Sequence, residues 1–395
     1  MNAPVPAGRP AHIAVIAGEP SGDALGGRLL AALHAETGGA VRFSGVGGPQ
    51  MTAQGLTSLF PMAELSVMGL AEVLPHLRRL RRRLNATVAA LHADPPDALV
   101  TIDSPGFTLR VQRRIAALET ARIHYVAPQV WAWKAGRARR IARDLDLLLT
   151  LLPFEPPLFA RHGLSARFVG HPAVERHRDA PEPADFRAAH GIPAHAPLLC
   201  VLPGSRRGEV ARLMPIFETA VARLAAALPG LHAVVPTVPG VQAQVCAALD
   251  SWPVPVRVLT DGQAKAGAFA CADAALAASG TVATELAVGG TPTVIGYRMH
   301  PVSECVARQV VKLPYVSIPN LVLGREVQPE CLLSACTPDN LVAALIRFMY
   351  DSHARTRARA DGAEAARALG AAGTPPSRAA ARAILETIAP ERVQR

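Results

Sequence analysis

Two kinds of hydrophobic pattern alternate along the chain. Short, mainly apolar runs occur at Ile13–Ala17, Val41–Val46, Ala98–Ile102, Ile123–Val126, Leu147–Leu151 and Arg167–Val169, with Ala98–Ile102 a continuous β-type run. Between them apolar residues return at helical spacing, as from about Asp23 to His34. A strand with one wet face alternates polar and apolar residues, so continuous runs separated by helices predict a parallel sheet buried on both faces. Polarity rises across Glu175–Pro197, which reads as a linker. The grammar then repeats, with strands at Leu198–Leu202, Leu231–Pro236, Val256–Leu259, Ala274–Ala277 and Thr293–Gly296, and a helical, Ala- and Arg-rich tail from Asp339 onward. The expectation is an α/β chain of two doubly wound parallel-sheet domains facing across a cleft, with ligands at the carboxyl ends of the strands. The expected domains are 1–175, 176–345, and C-terminal helices 346–395 that cross back to the first domain.

Composition narrows the class. At 395 residues and 50% hydrophobic, the chain is long enough for two domains with separate cores. A net charge of +10 points to anionic partners: nucleic acid, an acidic lipid surface or a phosphorylated substrate. Aromatics make up only 4% and no nucleic-acid motif accompanies the charge, which argues against nucleic acid. The six cysteines are scattered without C-x-x-C spacing, as reduced core cysteines are, which favours the cytoplasm. The apolar run His12–Ala17 leads into Gly18-Glu19-Pro20 as strand and loop rather than as a signal peptide. No run approaches the roughly eighteen residues of a membrane span, so a soluble or peripheral protein is expected.

Candidate chemistry gathers where strands end. Leu202-Pro203-Gly204-Ser205-Arg206 joins a strand to a helix through a glycine turn. Free N–H groups and the helix dipole at such a junction favour an anion, and an arginine adds a bidentate fork. A second junction, Ser279-Gly280-Thr281, begins a helix whose Glu285 lies one turn on, where a carboxylate suits a ribose diol. Asp103 ends an apolar strand, as a general base at a cleft rim would; an Asp capping the turn before Pro105 is the plain alternative. Glu19 and Asp23 flank a Ser-Gly turn after the first strand; Asp23 suits a cap for a helix beginning near Ala24. Gly45–Gly48 lacks G-x-G-x-x-G spacing and reads as a close backbone approach. Asp144-Leu145-Asp146 has the spelling of a metal-binding pair, but capping and the start of the next strand explain it. Leu74, Leu77, Leu80 and Leu84 recur at helical spacing with Arg78, Arg79, Arg81, Arg82 and Arg83 between them. This reads as a basic amphipathic helix for an anionic membrane surface, or as an ordinary helix with a charged outer face.

The Pro203–Arg206 and Ser279–Ala287 segments together resemble the sugar-nucleotide half of GT-B glycosyltransferases, which have two Rossmann-like domains. The first half narrows the likeness. Gly18–Asp23, Gly45–Met51, Val67-Met68-Gly69, Ile102–Phe107, Pro128–Trp133, Val169–Pro172 and Pro319-Asn320-Leu321 are similar to the lipid-A-disaccharide synthase family. The resemblance implies a metal-independent, cofactor-free inverting transfer. Diacylglucosamine passes from UDP-2,3-diacylglucosamine to lipid X, with an acceptor- and lipid-binding first domain and a UDP-sugar-binding second domain. It places catalysis on Asp103 and Arg206, with Glu19 as the alternative base. UDP falls to Gly204, Ser205, Arg206, Ser279, Gly280, Thr281 and Glu285. The lipid acceptor falls to Ser21, Asp23, Met68, Gly69 and Asn320. The implied setting is cytoplasmic and peripheral on the inner membrane, with no nucleic acid and with a homodimer left open. The competing classes are another two-domain UDP-sugar enzyme, such as the peptidoglycan lipid-linked glycosyltransferase or an epimerase, and a non-enzymatic basic peripheral protein.

Overall fold

The computed structural model describes residues 9–65, 70–129, 136–177, 183–299 and 313–392. Two compact units emerge, one from Met1–Pro172 with Gly373–Arg395 and the other from Ala173–Ala372.

The first unit is built on β1 (Ala11–Ala17), β2 (Val41–Val46), β3 (Thr57–Ser58), β4 (Ala98–Ile102), β5 (Ala121–Tyr125), β6 (Leu147–Thr150) and β7 (Ser165–Phe168). They form one sheet in the order β3-β2-β1-β4-β5-β6-β7, with every pairing parallel. Ile13–Ala17 and Ala98–Val100 are wholly buried, as continuous apolar runs covered on both faces require. Right-handed crossovers place helices according to the direction in which the chain moves across the sheet. Helices Pro20–Thr37 and Pro49–Thr52 therefore share one face, where Pro376–Arg392 also packs and supplies Ala380, Ala381, Ile384 and Ile388 to the core. Helices Leu70–Ala93, Pro105–Arg114, Gly136–Asp144 and Pro156–Ala160 pack in series over the other.

The second unit repeats the plan. Its strands are β8 (Leu198–Leu202), β9 (His232–Pro236), β10 (Val256–Leu259), β11 (Ala274–Ala277), β12 (Thr293–Tyr297) and β13 (Glu330–Leu332), all parallel, in the order β10-β9-β8-β11-β12-β13. Helices Pro338–Tyr350 and Ser352–Ala368 stay with this unit; Leu341, Leu345, Phe348 and Ala354 lie in its core.

Two sequence expectations change. The stretch read as a linker holds helix Pro183–Ala189, whose Phe186 is buried. Its Arg187 donates to the carbonyls of Pro193 at 3.1 Å, Ala196 at 2.9 Å and Cys271 at 3.3 Å. A few apolar anchors and one well-placed arginine order this stretch despite its polarity. The edge strands β3 and β13, only 2 and 3 residues long, were not foreseen because so short a run carries no periodicity.

Candidate active site

In each sheet the strand order reverses once, between β1 and β4 and between β8 and β11. Helices leave such a point on opposite faces, so a crevice opens at the strand carboxyl ends. Ala17 lies opposite Ile102, and Leu202 opposite Ala277. Gly18–Glu19 therefore emerges beside Asp103, and Pro203–Arg206 beside Ala278–Gly280.

At the first switch point the backbone is strained. Asp103 and Ser104 sit consecutively in the left-handed region, with φ of 48° and 46°. That conformation costs a non-glycine residue about 1 kcal/mol. Hydrogen bonds hold it: the Asp103 N–H donates to the Tyr125 carbonyl at 3.0 Å. The Thr108 hydroxyl reaches the Asp103 carbonyl at 2.7 Å and the Ser104 carbonyl at 3.0 Å. A Cβ at Gly18 would lie 2.7 Å from the Ser104 hydroxyl, so only glycine lets the two strand ends approach this closely. Burial raises the Asp103 carboxyl above its ordinary value, and the Ser104 N–H, which favours the ionised form, offsets only part of that. A half-buried carboxylate with raised basicity at a strand end is equipped to take a proton.

Glu19 occupies the cap position of helix Pro20–Thr37 on an extended backbone, and its side chain does not cap. Ser21 is exposed in the first turn. Asp23 is buried and committed elsewhere. Its carboxylate accepts from the N–H groups of Gly48 at 2.8 Å, Gln50 at 3.0 Å and Met51 at 3.0 Å. It therefore caps helix Pro49–Thr52 rather than its own helix, and this 3%-exposed carboxylate accepts three hydrogen bonds from the protein's own backbone. The Gly45–Gly48 run serves the same join. At Gly45, φ is 130° and a Cβ would meet the Val15 carbonyl oxygen at 2.0 Å; at Gly48 a Cβ would meet Asp23.

The second switch point is open and basic. Gly204 has φ 111°, and a Cβ there would sit 2.8 Å from a Glu209 carboxylate oxygen. Ser205 and Arg206 are exposed, and Arg206 is the cap residue of helix Arg207–Ala227. Its guanidinium lies 3.1 Å from Glu209, a buried carboxylate one turn along that steadies it. Across the switch, half-buried Ser279 leads to Gly280 at φ 149° and ψ −163°, a backbone only glycine adopts readily. Helix Thr281–Val288 starts there. Glu285, expected to face a ribose, is held by Arg176 at 2.8 Å and Lys265 at 2.6 Å. These two cations fix the carboxylate in place one turn into the helix.

Asn320, expected to touch the lipid acceptor, is fully buried and saturated. Its amide donates to the Gln328 carbonyl and to Glu330, both at 2.8 Å, and its carbonyl accepts from the N–H groups of Val327 and Gln328, both at 2.8 Å. All its capacity goes to pinning the 327–330 turn, so it is a structural residue. Met68, Gly69, Trp131 and Trp133 lie outside the described residues.

Along helix Leu70–Ala93, Leu84 is buried and Leu80 packs on the core, while Leu77 is exposed. Arg78, Arg81 and Arg82 are exposed and Arg79 is half-buried. Arg83 is withdrawn from the expected membrane set: its guanidinium donates to Glu64 at 2.8 Å and lies 4.7 Å over the Phe60 ring. Asp144 and Asp146 pair with Arg113 and Arg122, each at 2.7 Å. Sequence reasoning passed over Ser104, Glu209, Arg176 and Lys265. Only Glu209 left a signal, its spacing three residues beyond Arg206.

Two parallel α/β units, each with its own switch point, make up the GT-B fold. Solved structures of low identity share this fold. They include MurG from Acinetobacter baumannii (TM-score 0.59, 14% identity, 96% of this chain and 99% of that one). The calicheamicin glycosyltransferase CalG4 (TM-score 0.60, 19%, 96% and 99%) is another. So is the Neisseria meningitidis UDP-GlcNAc 2-epimerase bound to UDP-GlcNAc (TM-score 0.63, 12%, 95% and 99%). The chain belongs to the lipid-A-disaccharide synthetase family, which residues 13–384 match. The lipid-A-disaccharide synthase of Rhodospirillum centenum is 51% identical over 382 residues, covering 96% of this chain and 95% of its own. That of Paramagnetospirillum magneticum is 48% identical over 387 residues, covering 97% and 99%.

Proposed function

We propose that the protein transfers 2,3-diacylglucosamine from UDP-2,3-diacylglucosamine to the 6-hydroxyl of 2,3-diacylglucosamine 1-phosphate (lipid X). The products are the β-1,6-linked disaccharide 1-phosphate and UDP. The observation that carries this is the family match from residue 13 to 384 with Asp103 at the β1/β4 switch point, its carboxyl raised by burial. Asp103 accepts the proton of the acceptor hydroxyl as its oxygen attacks the anomeric carbon with inversion. The bond from that carbon to the diphosphate breaks, and UDP leaves with the electron pair. Arg206 and the N–H groups around Gly204 and Gly280 offset the charge that develops on the leaving diphosphate. Ser205, Ser279 and Thr281 line the same junctions with hydroxyls, and Glu285 serves the ribose. Glu19 and Ser21, at the start of the adjoining helix, contact acceptor hydroxyls. Asp103 rather than Glu19 is the base, because Asp103 carries the burial and the strained, doubly tethered backbone.

Lipid substrates bring the protein to a membrane. Among the described residues no helix is long and apolar enough to cross one, and we place the enzyme peripherally on the cytoplasmic side of the inner membrane, through exposed Arg78, Arg81 and Arg82. Incubation with UDP-diacylglucosamine and lipid X, followed by measurement of disaccharide and UDP, tests the reaction. Stoichiometric release of both is expected; UDP release without disaccharide would overturn it.

A further inference from the structure

The two faces of the first unit's sheet treat arginine differently. On the face bearing helices Pro20–Thr37 and Pro376–Arg392, Arg378 and Arg382 both pair with Glu36, and Arg167 of the edge strand pairs with Glu386 of the last helix. On the opposite face Arg113 pairs with Asp144 and Arg83 with Glu64, but most of the other arginines have no partner among the described residues. Helix Gly136–Asp144 buries Ala138 and Ile141 and carries Arg137, Arg139, Arg140 and Arg143, all exposed. None of these four has an ion-pair or hydrogen-bond partner among the described residues, and Asp144 is already taken by Arg113. The neighbouring helix Pro105–Arg114 adds exposed Arg110, and the next helix over adds Arg78, Arg81 and Arg82. These three helices pack in series, so the unpaired charges form a single basic face rather than a single basic helix.

We infer that this whole face is a docking surface for an anionic lipid bilayer, with helix Gly136–Asp144 as a second basic element alongside Arg78–Arg82. The inference rests on the proposed lipid substrates. Like charges without counter-carboxylates repel, and the cost is offset when an external anionic surface supplies the countercharge. Arginine suits the task, since its stem lies along apolar surface while its head reaches phosphates. Leu77, 46% exposed on the first of the three helices, offers apolar contact beside them. Nucleic acid is the weaker match: helix Gly136–Asp144 carries no aromatic side chain on which a base could stack.

The test is co-sedimentation of the full-length protein with phosphatidylcholine vesicles, with and without phosphatidylglycerol. Binding is expected only with the anionic lipid and is expected to fall with added salt. Each arginine near such a surface contributes about fivefold to partitioning. The combined variant Arg137→Ser, Arg139→Ser, Arg140→Ser, Arg143→Ser is therefore expected to bind on the order of several hundredfold more weakly. Lysine at the same four positions should retain binding, which separates charge from folding. With substrates dispersed in detergent, both variants should keep the parent's turnover. Vesicle binding unchanged in the serine variant would overturn the inference, as would parent binding to duplex DNA as tight as to anionic vesicles. Intact vesicle binding without any disaccharide synthesis would instead sink only the proposed reaction.

Discussion

The β1/β4 and β8/β11 switch points share one strand topology and opposite chemistry. The first is acidic and partly desolvated, its backbone bent into two consecutive left-handed residues and held by Thr108 and Tyr125. The second is basic and exposed, its turns made by glycines at φ 111° and 149°, with an arginine steadied from below by Glu209. A proton acceptor gains from burial, because losing water raises its basicity. An anion cradle gains from open N–H groups and a reachable guanidinium. The same sheet geometry therefore serves both tasks, and only the residues following the strands decide which.

The sharpest way to break this comparison is at Asp103. Asp103→Asn is expected to lower kcat by about 10²- to 10⁴-fold, the usual range for losing a general base. Its effect on stability has the opposite sign. Burial raises the folded-state pKa of Asp103 above its unfolded value, so its favourable contribution is present at low pH and lost as pH rises through the folded pKa. An uncharged Asn avoids that loss, and thermal unfolding at neutral pH should show a Tm equal to or above the parent's. A large drop in Tm would make Asp103 a structural residue. The acid limb of kcat/KM should likewise fall above the ordinary carboxylate range of about 4.

Arg206→Ala at the other junction is expected to lower kcat by about 10²- to 10³-fold, as removal of one stabiliser of developing charge does. Its side chain is 62% exposed, so chemical denaturation should show no measurable change in stability. Asp23→Ala gives the reverse pattern. It leaves three N–H groups of the Gly48–Met51 turn without their acceptor, and a loss of about 1–3 kcal/mol is expected on urea unfolding. Turnover per folded molecule should stay near the parent's.

Smaller still is the signal from His124, buried beneath the first switch point with Nδ1 2.8 Å from the Thr101 hydroxyl. Burial lowers its pKa to about 4, so the unfolded chain binds a proton that the folded one refuses. Stability should decline as pH falls from about 6.5 toward 4. In His124→Gln that decline should be shallower, as read from urea midpoints across the window. Finally, EDTA should leave disaccharide synthesis unchanged; abolition would end the metal-free mechanism.

Much of the fold was legible because buried parallel strands announce themselves. Ala98–Ile102, Leu198–Leu202, Val256–Leu259 and Ala274–Ala277 were read with the boundaries they have. Helix Pro20–Thr37 begins three residues earlier than expected, since Pro20 sits at its first position where a missing N–H costs nothing. β7 was read short because its exposure alternates, as at a sheet edge. Site residues were legible as positions after strands, but their partners were not. Asp23 and Asn320 were expected at the lipid acceptor only because the family resemblance implies it. Whether such a carboxylate or amide faces outward or pins its own backbone depends on chain segments 25 residues away for Asp23 and 8 for Asn320. Local spelling does not record that.

The first unit is interrupted: the chain leaves it at Pro172 and returns only at Gly373. Ala380, Ala381, Ala383, Ile384 and Ile388, which complete its core, thus leave the ribosome long after the rest of that core. At roughly 5–20 residues per second, the gap lasts on the order of ten to forty seconds. The second unit therefore has its full sequence while the first still exposes the flank of Leu29, Leu30 and Leu33. A message cut short near its end releases a product with its N-terminal core unsealed, open to proteases and chaperones before it can meet a substrate.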